Sequence, residues 1–217
     1  MFNILVSYGI FTIGMLRSEV IKNGLFLASS TIFDETKGIP YSTPAPEIFF
    51  YNDVTVDSCL ELKKNIHTQG VISRNIQKEL GFEYPLPIKL HIQSPGGVLA
   101  SALNVCDYIE SFDVPVHTYV EGSVASAASL ISVCGDMRFM SRRSVMLIHQ
   151  PSIFLGSTKQ NDIEDESHNL SMLYESMLDI YTSRSKLERN DIAIMIQNEK
   201  YLDAKECLKY GFIDKII

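Results

Sequence analysis

Residues 88–134 read IKLHIQSPGGVLASALNVCDYIESFDVPVHTYVEGSVASAASLISVC, and the succession of patterns in this stretch decides the fold. Ile88–Ile92 alternates in the manner of a strand, Ser94-Pro95-Gly96-Gly97 breaks it, and Val98–Ser111 has helical apolar spacing. The cycle then repeats: Val114–Val120 reads as a strand and Ser126–Cys134 as a helix, with small residues between them. Strands alternating with helices favour an α/β fold with a largely parallel sheet covered by helices.

Outward from this centre, Ser144–Ile148 is a further strand. Asn161–Lys186 is a long amphipathic segment, with Ile163, Leu170 and Met177 recurring at seven and Leu173 and Ile180 between them. Asp203 and Glu206 cap a last short helix that stops at Gly211, and Phe212–Ile217 closes as a strand. Upstream, Glu47–Tyr51 is a strand, Ser58 with Glu61 forms a capping box, and Gln69–Pro87 is a polar, partly helical stretch. Gly38, Pro40, Pro44 and Pro46 break any regular pattern from Asp34 to Pro46. Residues 1–46 are therefore read as an N-terminal arm and 47–217 as one body.

A chain of 217 residues with 46% hydrophobic and 21% charged residues is long and apolar enough to build a core without disulfides or metals. A net charge of −7 argues against nucleic-acid and anionic-membrane partners, which reward clustered Lys and Arg. Cys59, Cys106, Cys134 and Cys207 are too scattered for a metal site or a disulfide framework. They read as reduced, buried thiols of a cytoplasmic protein. Residues 1–16 are apolar, but they lack a positively charged start, are broken by Ser7, Gly9 and Gly14, and are too short to span a bilayer.

Three places carry chemistry. The Pro95-Gly96-Gly97 turn is either a tight strand-to-helix connection or a presenter of bare N–H groups to a ligand. In Gly122–Ser129 the serines are either caps and packing residues or, at Ser126, a nucleophile at a helix start with the next N–H placed to hold an oxyanion. His149 ends an apolar strand before Gln150-Pro151, at the rim where α/β sheets gather catalytic groups. The other histidines read as structural: His91 and His117 inside strands, His67 and His168 on helices. Together the three places suit acyl transfer, His149 taking the Ser126 proton while the N–H groups of Gly97 and Ala127 hold the oxyanion. Periodicity alone does not bring them together in space.

Ser94-Pro95-Gly96-Gly97, Ala125-Ser126 among small residues, and Met146-Leu147-Ile148-His149-Gln150-Pro151 resemble, in order and spacing, the signature stretches of the Clp protease proteolytic subunit, ClpP. The tail from Tyr201 to Asp214 is similar to the end of that family. The resemblance covers about residues 86–217, weakens between 47 and 68, and is lost in the arm. It implies a ClpP/crotonase-like fold of repeated ββα units with a long handle helix over 161–186, a Ser–His–acid triad, and no metal or cofactor. It also implies peptide or unfolded-protein substrates, heptameric rings paired into a tetradecamer through the handle, and an AAA+ ATPase partner.

The departures are specific. The family's triad aspartate falls on Glu199, whose extra methylene moves the carboxylate by roughly 1.5 Å. Asn198 stands where the family carries an arginine. Lys89, His91 and Ser111 occupy the ATPase-docking positions and make a poor apolar pocket. A catalytically weak structural subunit and a crotonase-fold enzyme acting on acyl-CoA are the rival readings.

Overall fold

In the computed structural model, residues 31–34, 39–42, 46–152 and 159–217 are described. Most of the expected arm, including its apolar first sixteen residues, lies outside them. The described part of the arm is an antiparallel ribbon of β1 (Thr31–Asp34) and β2 (Ile39–Ser42), with Pro40 opposite Phe33. This corrects the reading of 34–46 as patternless. Each strand of a two-stranded ribbon keeps one unpaired edge, where a proline's missing N–H is tolerated.

The body runs β3 (Glu47–Phe50), α1 (Val56–Leu80), β4 (Ile88–Ser94), α2 (Leu99–Ser111), β5 (Val116–Ala125), α3 (Ala127–Val133), β6 (Met137–Met140) and β7 (Val145–Leu147). It continues with α4 (Gln160–Ser183), α5 (Arg189–Gln197), β8 (Tyr201–Asp203), α6 (Ala204–Tyr210) and β9 (Lys215–Ile216). β3, β4, β5, β6 and β9 lie side by side, all parallel, as the βα alternation predicts. β5 is long because it serves two neighbours. Residues 117–120 pair with β6, and Ser123–Ala125 pair with β7 after a bulge. β7 then takes β8 on its far edge as an antiparallel partner. That branch carries the site.

Strand alternation sorts the two faces of the sheet. Ile88, Leu90 and Ile92 are fully buried, in register with Ile48 and Phe50 on β3 and with Val116, Thr118 and Val120 on β5. α1, α2 and α3 pack over this face. Among the described residues, the opposite face shows no comparable helical cover. It carries an aromatic ladder, Phe49–His91–Tyr119–Phe139, with ring centroids 4.7, 4.9 and 4.7 Å apart and planes within 20° of parallel. Phe49 remains 58% exposed.

Three local expectations need correcting. α1 is one helix rather than two pieces. Its box is Thr55 with Ser58, each side chain bonded to the other's backbone N–H at 3.1 and 2.9 Å, one turn earlier than Ser58 with Glu61. The helix runs on through Gly70 because the Phe112 ring lies where a Cβ would sit, 2.5 Å away, so packing outweighs glycine's poor helix propensity. β6, α5 and β8 carry little pattern in the sequence and were not anticipated. By contrast, the Asp203–Glu206 box and the stop at Gly211 stand as read, and all four cysteines are buried and free. Among the described residues no helix is long and apolar enough to cross a membrane.

The C-terminal edge is tied down by Arg138 on β6. Its guanidinium reaches both carboxylate oxygens of Asp214, at 2.7 and 3.0 Å, and its N–H adds a 2.8 Å bond. Burial pushes the Asp214 carboxyl up, but the hydrogen bonds and charge of Arg138 outweigh it and hold the group below its ordinary value. A depressed folded pKa contributes stability at neutral pH that is lost as pH falls below the ordinary carboxylate range of about 4. The thermal midpoint is therefore expected to fall more steeply in acid for the parent than for Arg138→Ala. Parallel melting curves against pH, with equal slopes, would refute this.

Candidate active site

The end of β5 turns directly into α3 at Ser126, which holds φ 56° and ψ −132°. Side-chain-bearing residues rarely enter this region, and strain of about 1–3 kcal/mol is the usual cost. Such a sharp turn lifts a serine hydroxyl out of the sheet at a strand end. The N–H of Ser126 donates to the Leu147 carbonyl at 2.9 Å, extending the β5–β7 pairing by one bond. α3 has only seven residues, so what it offers an anion is the Ala127 N–H more than a long helix dipole.

Sheet register brings the other two residues in. The parallel pairing sets Ala125 beside Leu147, so the chain leaving β7 passes Ser126 and reaches His149 just beyond it. Antiparallel pairing of β7 with β8 sets Val145 against Asp203, Met146 against Leu202 and Leu147 against Tyr201. Carried two residues further, the same register puts His149 opposite Glu199. His149 Nδ1 and Glu199 Oε1 are 3.9 Å apart, with side chains 23% and 60% exposed. That is beyond hydrogen-bond reach and leaves an electrostatic contact. Glu199 holds a left-handed backbone, φ 47°. Asp203 caps α6, and Asn198 donates to the Ile194 carbonyl at 2.8 Å.

The Ser94–Gly97 turn leans on this elbow. A Cβ on Gly96 would lie 2.6 Å from both the Ala125 carbonyl oxygen and the Ser126 Cβ, and one on Gly97 would lie 2.2 Å from the Val54 carbonyl oxygen. Both glycines are therefore required by close backbone approach at positive φ. Val54 pairs through the Gly96 carbonyl and the Val98 N–H, each at 2.8 Å. The Gly97 N–H, across the trans peptide from the Gly96 carbonyl, therefore points away from Val54.

A cleft here encloses about 270 Å³ and is walled by Gly97, Ser126, Ala127 and His149 together with Leu170, Leu173 and Met177 of α4. The residues of the apolar stripe on α4 do not all meet the same surroundings. In the structure Met177 is buried, Leu170 and Leu173 form the cleft wall, and Ile180 packs on the core. Leu170, Leu173, Met177 and Ile180 are thus placed against their own chain, whereas Ile163 of the stripe and Met172 beside it are exposed. Also unanticipated in the cleft are Ser152 and Glu166. Glu166 accepts from Asn169 at 3.2 Å. Nothing in their local pattern marks them.

A protein-family model described as Clp protease matches residues 71–217. The chain belongs to the Clp protease family. The match begins inside α1 and spans Gly97, Ser126, His149 and Glu199. The ATP-dependent Clp protease proteolytic subunit of Leuconostoc citreum is 32% identical over 133 residues, covering 60% of this chain and 66% of the relative. Subunit 1 of Chlamydia muridarum is 29% identical over 173 residues, covering 78% and 85%. Subunit 1 of Protochlamydia amoebophila is 31% identical over 135 residues, covering 60% and 65%. A solved ClpP1 mutant from Listeria monocytogenes superposes with a TM-score of 0.68 at 20% identity, covering 80% of this chain and 91% of that one. The expected ClpP fold is thus the observed one, and the chain is a Clp-family, ClpP-like serine protease in kind.

Proposed function

We propose that the chain is a serine endopeptidase acting on extended peptides and unfolded proteins, with Ser126 as nucleophile, His149 as general base and acid, and Glu199 as the carboxylate behind His149. The observation that carries this reading is the convergence of Ser126 and His149 on one cleft, with Glu199 facing the far nitrogen of the imidazole. In the first step Ser126 Oγ attacks the peptide carbonyl carbon as its proton passes to His149 Nε2. The tetrahedral oxyanion is held by the N–H groups of Gly97 and Ala127. His149 then protonates the leaving amine as the C–N bond breaks, and water, deprotonated by the same imidazole, hydrolyses the acyl ester. Glu199 keeps the proton on Nδ1 and stabilises the imidazolium. This chemistry calls for no metal or cofactor.

The peptidase domain spans 47–217, with 1–46 as an arm, and it works in the cytoplasm as part of a chamber of seven-membered rings, paired into a tetradecamer. A Clp-type AAA+ ATPase is its partner in this reading. Lys89 is bound to Glu47 at 2.8 Å and His91 is stacked between Phe49 and Tyr119. An apolar anchor therefore meets an aromatic but partly charged surface, and docking is correspondingly weak. A second reading, a catalytically feeble subunit completing mixed rings, is favoured by the 60% exposure of the Glu199 side chain and its 3.9 Å gap to His149.

A fluorophosphonate probe with peptide mapping separates the two. Covalent modification at Ser126 is expected for the peptidase, and an unmodified Ser126 in folded protein would overturn it. Sedimentation at micromolar concentration is expected to show a particle of at least seven chains, and a monomer would refute the assembly.

A further inference from the structure

The strained backbone at Ser126 must be held from both sides. On one side its N–H is bound to Leu147. On the other its carbonyl accepts the Ser129 N–H at 2.9 Å and the Ser129 hydroxyl at 2.5 Å. A carbonyl has no proton to give, so the single hydroxyl proton of Ser129 is spent on Ser126. The Tyr181 hydroxyl, 2.7 Å from Ser129 Oγ, must then be the donor in that contact. Ser129 is 0% and Tyr181 1% exposed, so water cannot replace either partner. Tyr181 lies on α4 one turn beyond Met177, which walls the cleft, and its ring packs edge-on against Phe212 at 5.9 Å. Burial pushes the tyrosine hydroxyl well above its usual range, so it remains a donor wherever a peptidase of this kind would work.

We infer that Tyr181 and Ser129 are positioning residues: the relay Tyr181 O–H to Ser129 O–H to Ser126 C=O holds the strained elbow, aiming Ser126 Oγ at His149 and the Ala127 N–H into the cleft. The inference rests on the reading of Ser126 as nucleophile. It assigns a task to a buried tyrosine that the triad chemistry does not use.

The relay is tested on the full chain with Tyr181→Phe, Ser129→Ala and the double variant. The readouts are the second-order rate constant of fluorophosphonate labelling at Ser126, and kcat and KM for a short fluorogenic peptide. Tyr181→Phe, which keeps the ring, is expected to lower labelling and kcat by about 3–10-fold with KM unchanged, the scale of one hydrogen bond. Ser129→Ala is expected to lose more, about 10–100-fold, because it also leaves the buried tyrosine hydroxyl without an acceptor. The double variant should lose less than Ser129→Ala, because it also removes the tyrosine hydroxyl that Ser129→Ala leaves without an acceptor. Losses that multiply, or losses confined to KM, would overturn the relay. So would a lower melting temperature with unchanged labelling of the folded protein. If Ser129→Ala does not fold, Tyr181→Phe decides alone. A parent that is not labelled at Ser126 overturns the peptidase reading and the relay with it, whereas a labelled parent beside unaffected variants overturns the relay alone.

Discussion

Ser126→Ala is expected to lower kcat for a short fluorogenic peptide by about 10⁶-fold, leaving a residual rate about 10³–10⁴-fold above water. The residual comes from the oxyanion donors and substrate binding, which the substitution leaves in place. Ser123→Ala should be far milder, and Ser129→Ala should cost orders of magnitude less than Ser126→Ala, because neither residue supplies the attacking oxygen. The backbone at Ser126 adds a second arm to the test. With φ at 56°, glycine relieves strain of about 1–3 kcal/mol and pays back about 0.5–1 kcal/mol through the freedom of the unfolded chain. Ser126→Gly should therefore be as inactive as Ser126→Ala and more stable than the parent by about 1 kcal/mol in urea titrations. An active Ser126→Ala beside a dead Ser123→Ala would show that the nucleophile has been assigned to the wrong serine.

Glu199→Gln is expected to preserve the fold and assembly and to lower kcat by up to about 10⁴-fold, because an amide facing Nδ1 favours the wrong imidazole tautomer. The geometry makes this the sharper test of mechanism. At 3.9 Å from His149 and 60% exposed, Glu199 acts only if it closes on the imidazole when substrate binds, as loosely aligned catalytic contacts in resting enzymes do. Glu199→Asp tests the reach. Aspartate tolerates the left-handed backbone at this position better, yet it withdraws the carboxylate from a contact that already has no slack. Activity should therefore fall by about 10-fold while stability does not, a tenfold rate corresponding to about 1.4 kcal/mol of barrier. Unchanged kinetics in Glu199→Gln would remove Glu199 from the mechanism and favour the feeble-subunit reading.

Most of the fold was legible along the chain. The strand–turn–helix alternation of 88–134, the capping signals at Asp203 and Glu206, and the apolar runs of β4 and β7 are local patterns, and each became the element it announced. β6, α5 and β8 did not announce themselves. Met137–Met140 and Tyr201–Asp203 are four and three residues long, too short for a period to emerge. Arg189–Gln197 buries only Ile192 and Ile196. The start of α1 was misplaced by one turn because Thr55 and Ser58 are both capable caps, and only the folded chain selects between them.

For the site, the sequence by itself determined which groups are present: a serine at a strand-to-helix turn, a histidine at a strand end, and two adjacent glycines after a proline. The tertiary structure decided that they share one cleft. The parallel register of β5 and β7 brings the chain carrying His149 past Ser126, and the antiparallel register of β7 and β8 sets His149 opposite Glu199. Register is a pairing between distant segments and leaves no trace in either one alone. The same holds for α4, whose heptad-like stripe predicted an apolar face but not its use. An amphipathic pattern records that a surface must be buried and not what buries it: Leu170, Leu173 and Met177 line the cleft of their own chain, and Ile163 stays exposed.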